Sequence, residues 1–184
     1  MSSVRNVTIE RASLQEEPLA KCGKKQFTLG TFLIGVHLSI QKKGNKMMVN
    51  IIARLEFLRK YAKTIHYNYA GPDFLGIHTY MDAVAKPIDE FIDEIKEKYF
   101  MYNQMQVPSF ETIDSLTIEM LKTASGEGYS VQKLAQECKA FVITLDEVIN
   151  TMSSTLDNGD IDLLSRIESH FKTVVALLQN VHPM

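Results

Sequence analysis

Residues 74–97 read FLGIHTYMDAVAKPIDEFIDEIKE, and two patterns overlap in them. Phe74, Ile77, Met81, Val84, Ile88, Phe91 and Ile95 recur at alternating steps of three and four. That is the apolar stripe of a helix packed in a bundle. Between them, His78 and Asp82 stand four residues apart, as do Asp93 and Glu97. Each pair therefore puts two metal-ligand types on adjacent turns of one face. Asp82 and Asp93 are separated by nearly three whole turns, so both pairs face almost the same way. At 1.5 Å per residue they nevertheless lie about 16 Å apart, too far to share one ion.

Outward from this stretch the chain reads as helices. From Met47 to His66, apolar residues fall at Ile51, Leu55, Leu58, Ala62 and Ile65, and Ala70-Gly71-Pro72 ends the segment. Beyond it, a polar link from Asn103 to Ser109 leads to a minor segment with Phe110, Ile113 and Leu116, expected to be a short crossover helix closed by Gly126 and Gly128. Ser130 suits the N-cap of a third long helix carrying Leu134, Cys138, Phe141 or Val142, Leu145 and Val148. A last helix is expected from about Asp160 to Asn180, with Leu164, Ile167, Phe171, Val174 and Leu178 inward. Four long helices with a short one between the second and third predict an all-α, ferritin-like four-helix bundle over residues 47–184. Residues 1–46 form an N-terminal basic extension. Within it, Val4 to Leu19 is compatible with a separate helix and Thr28 to Ile40 mixes β-branched residues with glycines, so it carries no assignment.

Composition sets the class. The 184 residues are 45% hydrophobic and 23% charged with a net charge of −2, the balance of one soluble domain and not of a disordered chain. The longest largely apolar stretch, Phe27 to Ile40, is shorter than the roughly 20 residues that span a bilayer and begins too late for a signal peptide. Cys22 and Cys138 form no CxxC pair, so a reducing cytoplasm is the expected compartment. Charge is unevenly spread: residues 1–50 hold eight Lys/Arg against three acids, a net +5, which leaves −7 for the rest. A basic arm on an acidic body suits two partners, a polyanion outside and cations held by the body. A solubilising tail on an acidic surface is the plainer alternative.

The two ligand pairs can close a site if a second copy of the helix runs antiparallel across a two-fold axis. The His78/Asp82 end of one copy then meets the Asp93/Glu97 end of the other, and an isologous dimer makes two such sites. His66, twelve residues before His78 across the Gly71-Pro72 turn, can complete the imidazole half. Two histidines and three carboxylates without cysteine favour iron or manganese over structural zinc. Taken singly, each pair also reads as an ordinary surface pair and His66 as a satisfied polar residue at a helix end.

The joint pattern, His66-Tyr-Asn-Tyr-Ala-Gly-Pro-Asp-Phe-Leu-Gly-Ile-His78-Thr-Tyr-Met-Asp82 followed by Asp93 and Glu97, resembles the signature of Dps proteins, the mini-ferritins of starved bacteria. The likeness covers roughly residues 47–180. It implies that His66, His78 and Asp82 are ferroxidase ligands from one subunit and that Asp93 and Glu97 come from its two-fold partner. Lys63 falls where some members carry a lysine near the site. In Asp157-Asn-Gly-Asp-Ile-Asp162, Asp157 and Asp162 match acids lining three-fold iron entry pores, although both also suit helix N-capping. The resemblance further implies a hollow dodecamer that oxidises Fe2+, with hydrogen peroxide as the usual oxidant, and stores ferric mineral.

Three positions depart from that pattern: Tyr67 stands where a tryptophan is common, Val174-Val175-Ala176 where many members place another, and Pro87 interrupts the second helix between the ligand pairs. Pro87 removes one backbone hydrogen bond and is expected to bend the helix. In the arm, Arg5, Arg11, Lys21, Lys24 and Lys25 are the candidate contacts to DNA phosphates, which family members bind non-specifically. An extension that packs on the shell is the alternative. A DNA-compacting protein with a silent ferroxidase centre is the competing functional class.

Overall fold

The structure is a computed structural model that describes residues 29–103 and 108–181. Five helices follow one another: α1 (Leu29–Asn68), α2 (Phe74–Asn103), α3 (Phe110–Glu127), α4 (Val131–Met152) and α5 (Asn158–Val181). No strand occurs among the described residues.

The apolar stripes explain the packing. Ile51, Leu55, Leu58, Ala62 and Ile65 of α1 are all buried, as are Leu164, Ile167, Phe171, Val174 and Leu178 of α5. On α4, Phe141 rather than Val142 takes the inner position and meets Phe171 edge to face at 5.2 Å. Each such side chain contributes about 1.5–3 kcal/mol on full burial. The stripe on α2 holds at Ile77, Met81, Val84, Ile88 and Ile95, with Ile92 buried and Phe91 half-buried, but Phe74 at its start is 49% exposed and lies instead beside His78, with ring centroids 5.4 Å apart.

Polar contacts along the seams give the directions. Lys63–Asp82 and Arg59–Asp89 pair α1 with α2 antiparallel. Arg54–Glu137 and the Ser130 N–H to Tyr61 Oη bond pair α1 with α4 in the same sense. Glu94–Arg166 and Lys98–Asp160 pair α2 with α5. With α4 packed on α5, the four long helices close a ring, and α3 lies across α1. There the buried Thr117 hydroxyl donates to the carbonyls of Ile113 and Ala53.

Three points of the sequence reading meet the helices here. First, α1 starts at Leu29 and runs straight through Met47, so the glycine-containing stretch from residue 29 to Ile40 is helical. Leu29, Phe32, Val36 and Ile40 continue the steps of three and four, a pattern that outweighs a penalty of about 1 kcal/mol per glycine. Second, α3 is 18 residues long, a full helix rather than a short one. Its N-cap is Ser109, whose side chain accepts from the Thr112 N–H, and it ends at Gly128 with φ 80°. Third, α2 runs as one helix through Pro87, as its stripe expects. Ser130 caps α4 as expected, accepting from the Lys133 N–H at 3.2 Å.

Among the described residues no helix is long and apolar enough to cross a membrane. Cys138 is a free, buried thiol that burial pushes up to about 12, so it stays protonated.

Candidate metal centre

The hairpin between α1 and α2 builds the centre. Tyr69 N–H closes the last turn of α1 on the Ile65 carbonyl, and Tyr69 Oη donates to the Pro72 carbonyl. The left-handed residue of this turn is Asp73, with φ 63°, not Gly71. Aspartate tolerates that conformation better than most side chains. The reversal brings His66, in the last turn of α1, against His78, in the second turn of α2.

Their rings stack with centroids 3.6 Å apart and planes 27° from parallel. His66 Nδ1 donates to the His78 carbonyl at 2.9 Å, and His78 Nδ1 donates to the His66 carbonyl at 3.1 Å. A carbonyl can only accept, so each Nδ1 carries a hydrogen, and the tautomer this sets in a neutral ring leaves the lone pair on Nε2. Metal-binding histidines are commonly oriented in this way, one nitrogen on a backbone carbonyl and the other on the ion. The His66 carbonyl lies in the last turn, where helical carbonyls lack partners, so the same bond finishes α1.

Asp82 stands one turn beyond His78. It pairs with Lys63, lies 3.7 Å from Lys86 Nζ and comes within 3.8 Å of His66 Nδ1. The Lys63 hydrogen bond holds the Asp82 carboxyl below its usual range, with attraction from Lys63, Lys86 and His66 adding to it, and Asp82 pushes the Lys63 ammonium up in return. His66 is 8% exposed, whereas Tyr67, next to it in sequence, is 73% exposed. Tyr67 packs edge-on to His66, and with Phe74 against His78 it makes an aromatic rim around the imidazole pair. The rim was not foreseen: Phe74 matches the core stripe in sequence, and only the turn that precedes α2 lifts it out.

Asp93 and Glu97 lie further along α2, both exposed and without a hydrogen-bond or ion-pair partner among the described residues. The chain thus gathers His66, His78 and Asp82 at one end of α2 and leaves Asp93 and Glu97 about 16 Å and 22 Å along the axis from Asp82. No three His, Cys, Asp or Glu side chains among the described residues converge on a point that could hold a metal. A donor set of this kind fits iron in chemistry, imidazole with carboxylate, but one chain supplies it as two separate halves.

At the α4–α5 turn, Asp157 acts as the N-cap of α5. Its Oδ1 accepts from the Asp160 N–H at 2.7 Å, and Asp160 reaches back to the Asp157 N–H. Asp162 pairs with Arg166 at 3.2 Å, and Asp160 with Lys98 at 3.6 Å. Both candidate pore acids thus hold partners in the single chain. Arg5, Arg11, Lys21, Lys24 and Lys25 lie outside the described residues.

The fold is that of the ferritin-like four-helix bundles, in the form found in Dps structures. Dps from Thermosynechococcus elongatus superposes with a TM-score of 0.66 over 79% of this chain and 94% of its own, at 13% identity. The Dps protein of Vibrio cholerae O1, described as a member of a broad superfamily of ferritin-like diiron-carboxylate proteins, gives 0.62 over 78% and 91%, at 17% identity. No protein-family model and no curated protein sequence matches the chain.

Proposed function

We propose that this chain is a mini-ferritin of the Dps kind, which oxidises Fe2+ at sites shared between two-fold related copies and stores the ferric product inside a dodecamer. One observation carries the reading: His66 and His78 spend Nδ1 on each other's backbone, with Asp82 3.8 Å from His66, while Asp93 and Glu97 have no hydrogen-bond or ion-pair partner among the described residues. His66, His78 and Asp82 of one copy and Asp93 and Glu97 of the next would hold the iron. Two Fe2+ ions give one electron each and peroxide takes both, so its O–O bond breaks without releasing a hydroxyl radical. DNA nearby is thereby protected.

Asp157 and Asp162 would line the entry path for iron, and the acidic body would favour cation uptake. The arm, with Arg5, Arg11, Lys21, Lys24 and Lys25, would bind DNA phosphates non-specifically, twelve copies adding avidity, in a cytoplasmic, nucleoid-associated setting. A second reading, a DNA-compacting protein with a weak ferroxidase centre, draws support from the Lys63 ammonium that sits on the Asp82 carboxylate.

Fe2+ oxidation by peroxide, followed optically for the wild type, His78→Ala and Asp93→Ala, separates the two. The first reading expects both variants to lose at least about tenfold in rate, as loss of metal-site groups generally does. Equal rates in all three would remove the centre and leave the second.

A further inference from the structure

Large apolar side chains reach solvent at two places on the α1–α2–α3 side of the chain. The first is the rim of the candidate centre, where Tyr67 is 73%, Phe74 49% and Leu75 74% exposed. The second is the start of α3, where Phe110 is 76% exposed. Phe110 lies against α2 at Lys96, whose Nζ stands 5.0 Å from the ring centroid. Single exposed apolar side chains are ordinary, but several gathered at one site mark a surface that meets a partner. Phe110 does not cover the rim within one chain, because Lys96 lies 21 residues beyond Leu75, about 30 Å along α2.

The outer face of α2 supplies the register in which a second copy would meet it. Leu75, Thr79, Lys86, Asp89, Asp93 and Glu97 are exposed, and at about 100° per residue they all fall within about 40° of one line. Matching His78 with the partner subunit's Glu97, and Asp82 with the partner subunit's Asp93, puts an antiparallel two-fold axis midway between Pro87 and Ile88. That axis sets Lys86 opposite the partner subunit's Asp89, once on each side, and both side chains are well exposed. It leaves Asp82 facing an acid, the arrangement that a bridging cation relieves. Lys96 then stands level with the partner subunit's Thr79, one residue from the partner subunit's His78. His78 and Lys96 are 18 residues apart, about five whole turns, so they share one flank of α2. A two-fold axis between antiparallel helices keeps each flank on its own side, which brings Lys96 and Phe110 to the flank that carries the partner's imidazoles.

We propose that Phe110 acts in trans: it packs on the rim of the partner subunit's imidazole pair, against the Tyr67, Phe74 and Leu75 of that copy, and closes the shared site to water. This inference rests on the shared-site reading above and adds to it a side chain from a third helix. The two-fold axis makes the contact twice, so each copy both gives a seal and receives one. A rim that excludes water strengthens the attraction between the ion and its carboxylates, because the local dielectric falls. It also gathers the aromatic side chains into the desolvated kind of cluster that holds interfaces together.

The test uses the full-length protein carrying Cys22→Ser, since the other thiol, Cys138, is buried. Two copies with tags of different size are co-expressed, one with Phe110→Cys and the other with Leu75→Cys or Tyr67→Cys, and treated with a short bis-maleimide. All three positions are exposed in the single chain, so the substitutions leave its core intact. The seal predicts a covalent heterodimer on a denaturing gel. A second co-expression, Lys86→Cys with Asp89→Cys, reports the two-fold axis itself. Products from both experiments support the proposal. The Lys86 product without any Phe110 product overturns the seal and leaves the shared site standing, the Phe110 product alone overturns the register, and no product in either removes the shared site together with the seal. Water exclusion is read with Co2+ alone, by its visible absorption. Phe110→Ser should weaken binding about tenfold, the lower end of losses for supporting groups around a metal, and Phe110→Leu should stay within about twofold of wild type. Equal affinities in all three would overturn the seal.

Discussion

His66 and His78, on consecutive helices, each donate Nδ1–H to the other's backbone carbonyl while their rings stack. The bond pair does two things at once, closing the end of α1 and fixing both imidazoles in the tautomer a metal needs. Replacing either ring by alanine removes both hydrogen bonds' mutual support, so His66→Ala and His78→Ala should each lower unfolding stability by about 1 kcal/mol, seen as a lower urea midpoint. Both should also lose Co2+ binding. A variant that keeps full binding would mean that these imidazoles are structural only.

Because Asp93 and Glu97 lie about 16 Å and 22 Å along α2 from Asp82 and the imidazoles, the shared-site proposal makes activity depend on mixing. Assemblies formed from His78→Ala and Asp93→Ala subunits, each inactive alone, should regain part of the Fe2+ oxidation rate, since some shared sites draw both intact halves. Mixed assemblies as inactive as their parents would place the chemistry within one subunit.

On the proposed reading, Lys63, which pairs with Asp82, would compete with a metal for its carboxylate. In Lys63→Met the carboxylate loses its hydrogen-bonded ammonium and keeps only the longer approaches of Lys86 and His66, so Co2+ should bind more tightly at neutral pH by titration. Acid stability should shift too. Asp82 is held below its usual range in the fold, so its contribution is fully present above about pH 4, the unfolded value, and is lost as pH falls through the lower folded value. Unfolding midpoints of Lys63→Met should therefore fall less steeply than those of wild type below pH 4.

His170 provides the opposite pH window. Its folded pKa lies below the ordinary 6.5, because burial among Phe91, Phe171 and the α2 backbone disfavours the charged ring. The unfolded chain takes up that proton first, so stability declines as pH drops below about 6.5. Wild type should lose more midpoint between pH 7.5 and 5 than His170→Phe.

Gly128 closes α3 at φ 80° with nothing within 4 Å of where a Cβ would stand. Gly128→Ala therefore meets only backbone strain, about 1–2 kcal/mol, readable as a lower thermal midpoint. Ser130→Ala, two residues on, should cost about 1 kcal/mol through loss of the α4 cap.

Much of this protein is written in one dimension. A helix repeats every 3.6 residues, so the spacing of Ile51 to Ile65, Ile77 to Ile95 and Leu164 to Leu178 already declares which side of each helix is buried, and Ser109 and Ser130 announce starts that depend only on local backbone geometry. The same periodicity puts His78, Asp82, Asp93 and Glu97 near one face of α2. What depends on contacts between distant segments needed the folded chain. The crossing of α1 and α2 decides that His66 and His78 lock each other's tautomers, that Lys63 rather than solvent meets Asp82, and that Phe74 leaves the core for the rim of the centre. Pro87 reads as a bend in sequence because its missing donor is a local property. The fold keeps α2 whole, because its buried stripe packs along α1 and α5, segments distant in sequence.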